Sequence, residues 1–485
     1  MTTVAATRAV PDRAIVLPLV LAQFVASYAG TNMNVAITTI ADDIGTDVHG
    51  LQTTITLFTL TMAALMIPGS KLTDIWGRKR CFIIGLVIYG AGAVLAASAQ
   101  GLPLMLIGYS IGEGVGSALM IPPIYILITV VFPDTHSRAK YFGAVSGAAG
   151  LGSAAGPLIG GLITSAISWR ASFLLQILIV LWIIISARKI FDPPLTGQRP
   201  RFDTFGAVLS AAGLLFVVLG ILQSSTYGFG RSREDFTIGG TTIIPKGGVS
   251  PVWLFVAVGA LILAWFFLHV TRVQRHGGDP LIPTRLFRNR LSNLGLTTQL
   301  VQWLTMQGTF FVLSVFLQQV RGLNAIETGL TLTPATIGIL LASAGAARFA
   351  RRRSQRFLVR AGFVVTTAGM LLVLALVREH SGFLSYVPGL LLIGLGVGVM
   401  LTASVNVVQS AFPESDQGDI SGLSRCVSNL GSSLGTALAG SVLVSAAVPG
   451  RHPFALALVT MTVISLIGLL AALLLPRTPP STAPI

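Results

Sequence analysis

Long apolar runs, each ended by charges, glycine and proline clusters or turn residues, succeed one another along the whole chain. They fall at about 14–38, 51–71, 81–100, 103–130, 141–166, 170–190, 203–224, 252–274, 292–320, 328–348, 357–377, 383–411, 420–446 and 453–475. A bilayer core needs roughly 20 apolar residues per spanning helix, so the pattern predicts fourteen transmembrane helices, the longer ones tilted. The first run is too long for a signal peptide and reads as a span. Three polar stretches exceed an ordinary loop. Residues 191–202 (FDPPLTGQRPRF) and 275–291 (RHGGDPLIPTRLFRNRL) read as basic linkers, the first with a Pro-Pro stop. Residues 225–251 contain TIGGTTIIPKGG, whose β-branched runs and glycines predict a small hairpin. The spans therefore group as six, two and six: an N-terminal bundle over 1–190, a linker with two spans over 191–291, and a C-terminal bundle over 292–485. Six plus six is the arrangement of many repeat-built secondary transporters, although a bundle without a repeat has the same hydropathy.

Composition supports a membrane protein with little attached to it. Of 485 residues 53% are hydrophobic and only 10% charged, against about 25% charged in soluble domains, and the mean hydropathy is +0.80. Fourteen spans take roughly 280 residues. The remainder, shared among loops and tails, is too short for a folded extramembrane domain. The net charge of +15 is a topology signal rather than a nucleic-acid footprint. Of the 32 Lys and Arg, 25 fall on the side of the tails and even-to-odd loops, which places both termini in the cytoplasm by the positive-inside rule. Contact with anionic lipid is expected there. Cys81 and Cys426 have no metal-ligand spacing.

Two stretches carry specific patterns. The loop after the second span reads Gly69-Ser70-Lys71-Leu72-Thr73-Asp74-Ile75-Trp76-Gly77-Arg78-Lys79-Arg80, or G-x4-D-x2-G-R-K-R. Its glycines permit tight turns, and Asp74 can pair with the neighbouring cations or cap a helix start. The fifth span holds small residues at helical spacing, including Gly152, Gly156, Pro157, Gly160 and Gly161. Such a face packs closely against another helix, and the proline permits a bend. The first pattern closely resembles the inter-helix signature of the major facilitator superfamily. The second, G-P-x-x-G-G followed by Trp169-Arg170, resembles the span-five motif of its drug-efflux members. With fourteen spans and an inserted pair, the whole chain resembles the fourteen-span drug:proton antiporter family. The resemblance implies an all-α fold of two six-helix bundles plus two linker helices, with Gly69, Asp74, Gly77, Arg78 and Lys79 as a gating motif.

The departures from that family are informative. It usually carries an Asp in span one; anchored on Asn34-Val35-Ala36, that position is Ala29. It usually carries an Arg in span four; anchored on Gly114-Val115-Gly116, that position is Ser110. Losing both leaves neither partner as an unpaired buried charge. Glu113 is then the one acid well inside the hydrocarbon, near the midplane. At α-helical spacing it shares a face with Ser110, the face that lines the central cavity in relatives. A carboxylate there costs about 2.5–3.5 kcal/mol on insertion scales, which marks Glu113 as a proton-coupling or substrate group unless it is a structural acid bonded to Tyr109. Asn32, Asn34, Tyr109 and Gln176, with Gln23, could line one side of a polar cavity, and Gln299, Gln302, Trp303 and Gln307 the other. Each amide alone reads first as interhelical glue. Arg425 is expected to snorkel to the cytoplasmic surface. The second-half counterpart of the signature loop, 345–356, keeps its cations but has no Asp; Glu414, Asp416 and Asp419 read as a solvated acidic loop facing it.

The sequence has no nucleotide-binding G-x4-G-K-[ST] loop, no filter-like repeat and no clustered histidines, so a pump, a channel and an enzyme are set aside, with no cofactor or metal expected. The expected function is secondary export of amphiphilic, drug-like or cationic compounds by a monomer in the bacterial cytoplasmic membrane, with protons as the coupling ion through Glu113. The alternative is export or flipping of a lipid or lipid-linked metabolite without tight proton coupling.

Overall fold

The structure, a computed structural model, describes residues 12–132, 135–190, 192, 201–238, 241–378, 381–412, 416–444 and 451–476. It is almost wholly helical. α1 (Asp12–Asn32) passes through a 3₁₀ turn, Met33–Ala36, into α2 (Ile37–Ile44), which stops at Gly45 with φ +66°. α3 (Val48–Trp76) starts where the Asp47 carboxylate accepts the Gly50 amide at 2.8 Å, which satisfies one otherwise orphaned donor of the first turn. α4 (Arg78–Ala97) follows after a single residue. α5 (Leu102–Met105) continues through a π-helical stretch, Leu106–Glu113, into α6 (Gly114–Val131). Then come α7 (Thr135–Ala166), α8 (Trp169–Ala187), α9 (Thr204–Leu222) and the short α10 (Ser224–Tyr227). The predicted hairpin is present: β1 (Phe236–Ile238) pairs antiparallel with β2 (Thr241–Ile244). α11 (Pro251–Arg275), α12 (Arg290–Val315) with a π-helical end Phe316–Val320, α13 (Ala325–Arg352), α14 (Gln355–Leu376), α15 (Val387–Gln409), α16 (Gln417–Val444) and α17 (Arg451–Leu473) complete the chain.

Among the described residues, every predicted span coincides with a long helix or a run of joined ones, but not all fourteen are apolar enough to be counted as spans. Twelve are long and apolar enough to cross a membrane, and α7, bent by 41°, makes a thirteenth. α16 is not among them; it carries Asp419, Arg425 and many serines and glycines. Protein covers it instead: α16 lies between α3 and α12, where interhelical bonds satisfy its hydroxyls. Lipid-compatible faces appear elsewhere, as on α11, where Leu261 is 70% exposed.

The first and last six long helices meet along two seams. α7 packs along α13, and α3 along α16. Each seam joins the second long helix of one set of six to the fifth of the other. α9 and α11 pair with each other, and α9 leans on α3 and α16. Most of the first basic linker lies outside the described residues.

Candidate functional site

Between the two sets of helices lies a partly open cavity of about 70 Å³. Gln23, Ser27, Gly30 and Thr31 of α1 line it, with Phe58, Met62 and Met66 of α3, Trp303, Met306 and Gln307 of α12, and Arg425, Ser428 and Asn429 of α16. Drug-sized pockets run to roughly 300–1,000 Å³, so the cavity in this conformation is too small for a drug-sized molecule. Of the predicted cavity residues, Gln23, Trp303 and Gln307 reach the wall, and Gln307 also donates to the Gly30 carbonyl at 3.4 Å.

The remaining amides are tied between helices. Gln299 bonds Ser428 and Ser424 of α16 at 2.8 and 2.9 Å, and Gln302 accepts from Ser404 of α15 at 2.8 Å. Gln176 accepts from the Tyr89 hydroxyl, and Asn32 donates to Ser172 at 3.0 Å. Asn34 sits in the 3₁₀ turn, its carbonyl accepting from Gln318 at 2.8 Å. These contacts hold Gln176, Gln299, Gln302 and Asn32 in the helical seams, while Asn34 is engaged through its main-chain carbonyl alone and Asn32 Oδ1, Asn34 Oδ1 and Gln302 Nε2 are buried without a hydrogen-bond partner among the described residues.

Arg425 differs from expectation. It turns inward rather than to the surface: its guanidinium bonds the Tyr125 hydroxyl, lies 5.1 Å from that ring's centroid and lines the cavity. A hydrogen-bond acceptor and an aromatic face in reach replace the solvent that snorkelling would supply.

Glu113 also departs from its predicted place. Its side chain is fully buried, yet it does not line the cavity. The prediction assumed α-helical spacing from Ser110, whereas the intervening turn is π-helical, which rotates the face that three residues reach. The carboxyl instead lies within the N-terminal helices, beside the Tyr89 hydroxyl and within electrostatic reach of Tyr28 and Tyr109. Neither of its oxygens has a partner at hydrogen-bonding geometry. Close packing of α4 creates this chamber: a Cβ at Gly92 would meet the Gly108 carbonyl at 2.7 Å and the Glu113 amide at 2.6 Å. Tyr28 joins Ser172 at 2.5 Å, so tyrosine, serine and amide groups form a buried polar cluster across α1, α4 and α8. Tyr109 donates to the Ala29 carbonyl at 2.8 Å, and Ser110 to the Thr54 carbonyl at 2.7 Å. The two positions that carry charges in the resembled family are thus filled by uncharged, packed groups.

In the signature loop, Gly77 has φ +99°, a conformation that excludes most side chains, and it turns the chain from α3 directly into α4. Arg78 and Lys79 hold Asp192 rather than Asp74: Arg78 Nη1 lies 3.5 Å from its carboxylate, and the Lys79 amide donates to it at 2.9 Å. Asp74 makes no ion pair at bonding distance and lies within electrostatic reach of Lys71, Asp419 and Arg78. Gly69 backs onto the Ala118 carbonyl of α6. The contact that crosses between the halves is one the sequence did not flag: Lys71 Nζ to Asp419 Oδ1 at 2.8 Å. Asp416 likewise pairs with Arg285 at 2.7 Å. Two of the three acids predicted as a solvated loop are therefore ion-paired; Glu414 lies outside the described residues. On the opposite, hairpin side, Gln52 of α3 donates to the Ala437 carbonyl of α16 at 3.0 Å, and Gln318 accepts from the Thr38 amide at 3.1 Å. The halves are thus joined by polar contacts at both ends of the seams.

The span-five motif has two faces. A Cβ at Gly152, Gly156 or Gly160 would collide with or crowd Phe24, Thr31 and Asn32 of α1. Gly161 presses on the Ala325 carbonyl, and Gly329 on the Pro157 carbonyl, at the α7–α13 seam. Pro157 cannot donate to residue 153, and α7 bends at that point.

Comparison with known proteins agrees with this geometry. The chain is 31% identical over 422 residues to the probable actinorhodin transporter of Streptomyces coelicolor, covering 85% of this chain and 69% of that one. It is 26% identical over 431 residues to the puromycin resistance protein pur8 of Streptomyces alboniger, covering 88% and 81%. A crystal structure of the peptide transporter POT shares the fold, with a TM-score of 0.65 at 14% identity over 94% of this chain and 93% of that one. The model of the Major Facilitator Superfamily matches residues 19–436. The chain belongs to the Major Facilitator Superfamily, as a multi-span membrane transporter.

Proposed function

We propose that this chain is a secondary active exporter of amphiphilic small molecules, working by alternating access between bundles 1–190 and 292–485 with 191–291 bridging them. The observation that carries the reading is the cavity between the halves, where rings, thioethers and amides mix, with polar contacts joining α3 and α16 on either side of it. Such a lining suits a molecule with an apolar body and a few polar groups. Relatives named for the transport of actinorhodin and for resistance to puromycin support a small-molecule cargo.

The same reading makes Glu113 the proton-coupling group. An unpartnered carboxylate in a dry chamber is costly, so loss of its proton is tied to a conformation that admits water or a partner. Tyr28, Asn32 and Ser172 supply a polar path from that chamber to α1, whose next residues back along the helix, Gly30 and Thr31, face the cavity. Each proton entering supplies about 2.3 kcal/mol per 100 mV, enough for roughly a forty-fold gradient of a neutral substrate at 1.4 kcal/mol per decade.

The test is dye transport into everted vesicles under an imposed pH gradient, comparing wild type with Glu113→Gln. Gradient-driven uptake that Glu113→Gln abolishes, with dye binding retained, supports the coupling role. Uptake that survives the substitution refutes it. The absence of uptake by wild type refutes the exporter reading and turns attention to lipid.

A further inference from the structure

The cavity carries charge of one sign. Arg425 lines it, and no Asp, Glu or Lys does. Among the described residues, no carboxylate pairs with Arg425; its guanidinium is held by the Tyr125 hydroxyl and ring. Tyr125 in turn donates to Gln23 at 3.2 Å, and Gln23 to Ser27 at 3.2 Å. This chain of bonds runs from α16 through α6 to α1 and fixes the cation at the meeting of the two halves.

We infer that Arg425 anchors an acidic head group, so that the transported molecule is an anionic amphiphile: an apolar, ring-bearing body with a carboxylate or ionised phenol. The inference rests on the exporter reading and specifies its substrate. A guanidinium has five N–H donors, and Tyr125 takes one of its nitrogens, which leaves donors for a charge-assisted, bidentate partner. Arg425 is partly buried, and a partly desolvated cation without a counter-charge gains from an anionic ligand. A cationic ligand aggravates it, and nothing in the cavity offsets this, because the position that holds the family's acid is Ala29, itself buried with its carbonyl bonded to Tyr109. Beside the cation, Trp303, Phe58 and Met62 give the apolar body a surface to lie on.

The test is equilibrium binding, which needs no gradient and so stands or falls apart from transport. The purified chain in phosphatidylcholine nanodiscs is titrated by fluorescence anisotropy with fluorescein and with rhodamine 123, which share a xanthene ring but differ in charge. The expected result is binding of fluorescein about tenfold or more tighter than rhodamine, the size of one charge-assisted contact. Arg425→Gln erases that preference and Arg425→Lys keeps its sign. Should Arg425→Gln fail to elute as a folded species, Tyr125→Phe, which frees the guanidinium, lowers fluorescein affinity several-fold and leaves rhodamine unchanged. Repeating the titration in phosphatidylglycerol nanodiscs separates two sources of the anion. Competition by that lipid, lost in Arg425→Gln, assigns the site to a lipid head group; unchanged fluorescein binding assigns it to a free solute. A preference for rhodamine, no binding of either dye, or a preference for fluorescein that Arg425→Gln leaves intact overturns the inference.

Discussion

The Lys71–Asp419 pair is the one ion pair described between α3 and α16, and breaking it should loosen that end of the transporter by a calculable amount. The two groups lie 2.8 Å apart with side chains 22% and 23% exposed. Unit charges 4 Å apart interact by about 1 kcal/mol in water and about 4 at an effective dielectric of 20, while fully exposed pairs are worth about 0.2–1 kcal/mol. One-fifth exposure at the edge of the protein places this pair at about 1–2 kcal/mol, and Lys71→Ala then raises the ratio of open to closed forms by roughly 5- to 30-fold. Ser70 is the natural reporter: it is buried, and a Cβ at Gly422 would sit 3.5 Å from its own. With the native thiols removed as Cys81→Ala and Cys426→Ala, Ser70→Cys is labelled by a water-soluble maleimide only when this end opens. Labelling should accelerate at least about fivefold in Lys71→Ala and comparably in Asp419→Ala, while the double substitution adds little, as expected for two members of one interaction. Unchanged labelling in Lys71→Ala, or full additivity in the double variant, would show that the pair does not hold the seam shut.

Two further substitutions probe how the helices are fixed. Gly161→Ala puts a methyl 2.5 Å from the Ala325 carbonyl, and because the neighbour is backbone, α7 and α13 must separate; a loss of about 1–3 kcal/mol is expected, read as a lower unfolding temperature in detergent. Gly147→Ala, with open space around it, serves as the unaffected control. Asp203→Ala removes the acceptor of the Gly206 amide at 2.8 Å, of His269 Nε2 at 2.9 Å and of the Leu281 amide at 3.3 Å; about 2–3 kcal/mol of local stability goes with the cap and the orphaned donors, seen as faster proteolysis within 275–291.

Helix positions were legible because apolar runs of this length have few other fates. The polar groups inside were harder to place. Glu113 stands out in the sequence as an acid within an apolar run, but its direction depends on a π-helical turn that no spacing rule signals. Arg425 is equally visible, yet only the fold brings Tyr125, 300 positions earlier, within reach of it. Lys71 and Asp419 are 348 positions apart, and each alone is an ordinary charge at a helix end. Gln299 and Gln302 looked like cavity residues by type; facing serines on α15 and α16 made them interhelical ties. Gln52 and Gln318, lone amides in apolar runs, carried a signal of the same kind and turned out to bridge the two halves.

The acid and the cation are held apart, and on the proposed reading that separation shapes the coupling. Glu113 lies behind the tyrosines of the N-terminal helices, while Arg425 enters the cavity from α16, so proton and substrate do not contend for one carboxylate. α1 touches both places. Its Ala29 carbonyl takes the Tyr109 bond, Asn32 holds Ser172 beside Tyr28, and Gln23 steadies Tyr125 under Arg425. Immediately beyond, the helix loosens into its 3₁₀ turn, where Asn34 and Thr38 bind Gln318 of the other half. On the proposed reading, a change of charge at Glu113 reaches the substrate through the movement of this helix. With an anionic substrate, one proton entering and one anion leaving carry two charges in the same electrical sense. The potential then contributes twice about 2.3 kcal/mol per 100 mV, whereas a pH difference of one unit adds only about 1.4 kcal/mol. A transporter built in this way draws mainly on the membrane potential, because the cavity's cation selects a cargo that the potential already expels.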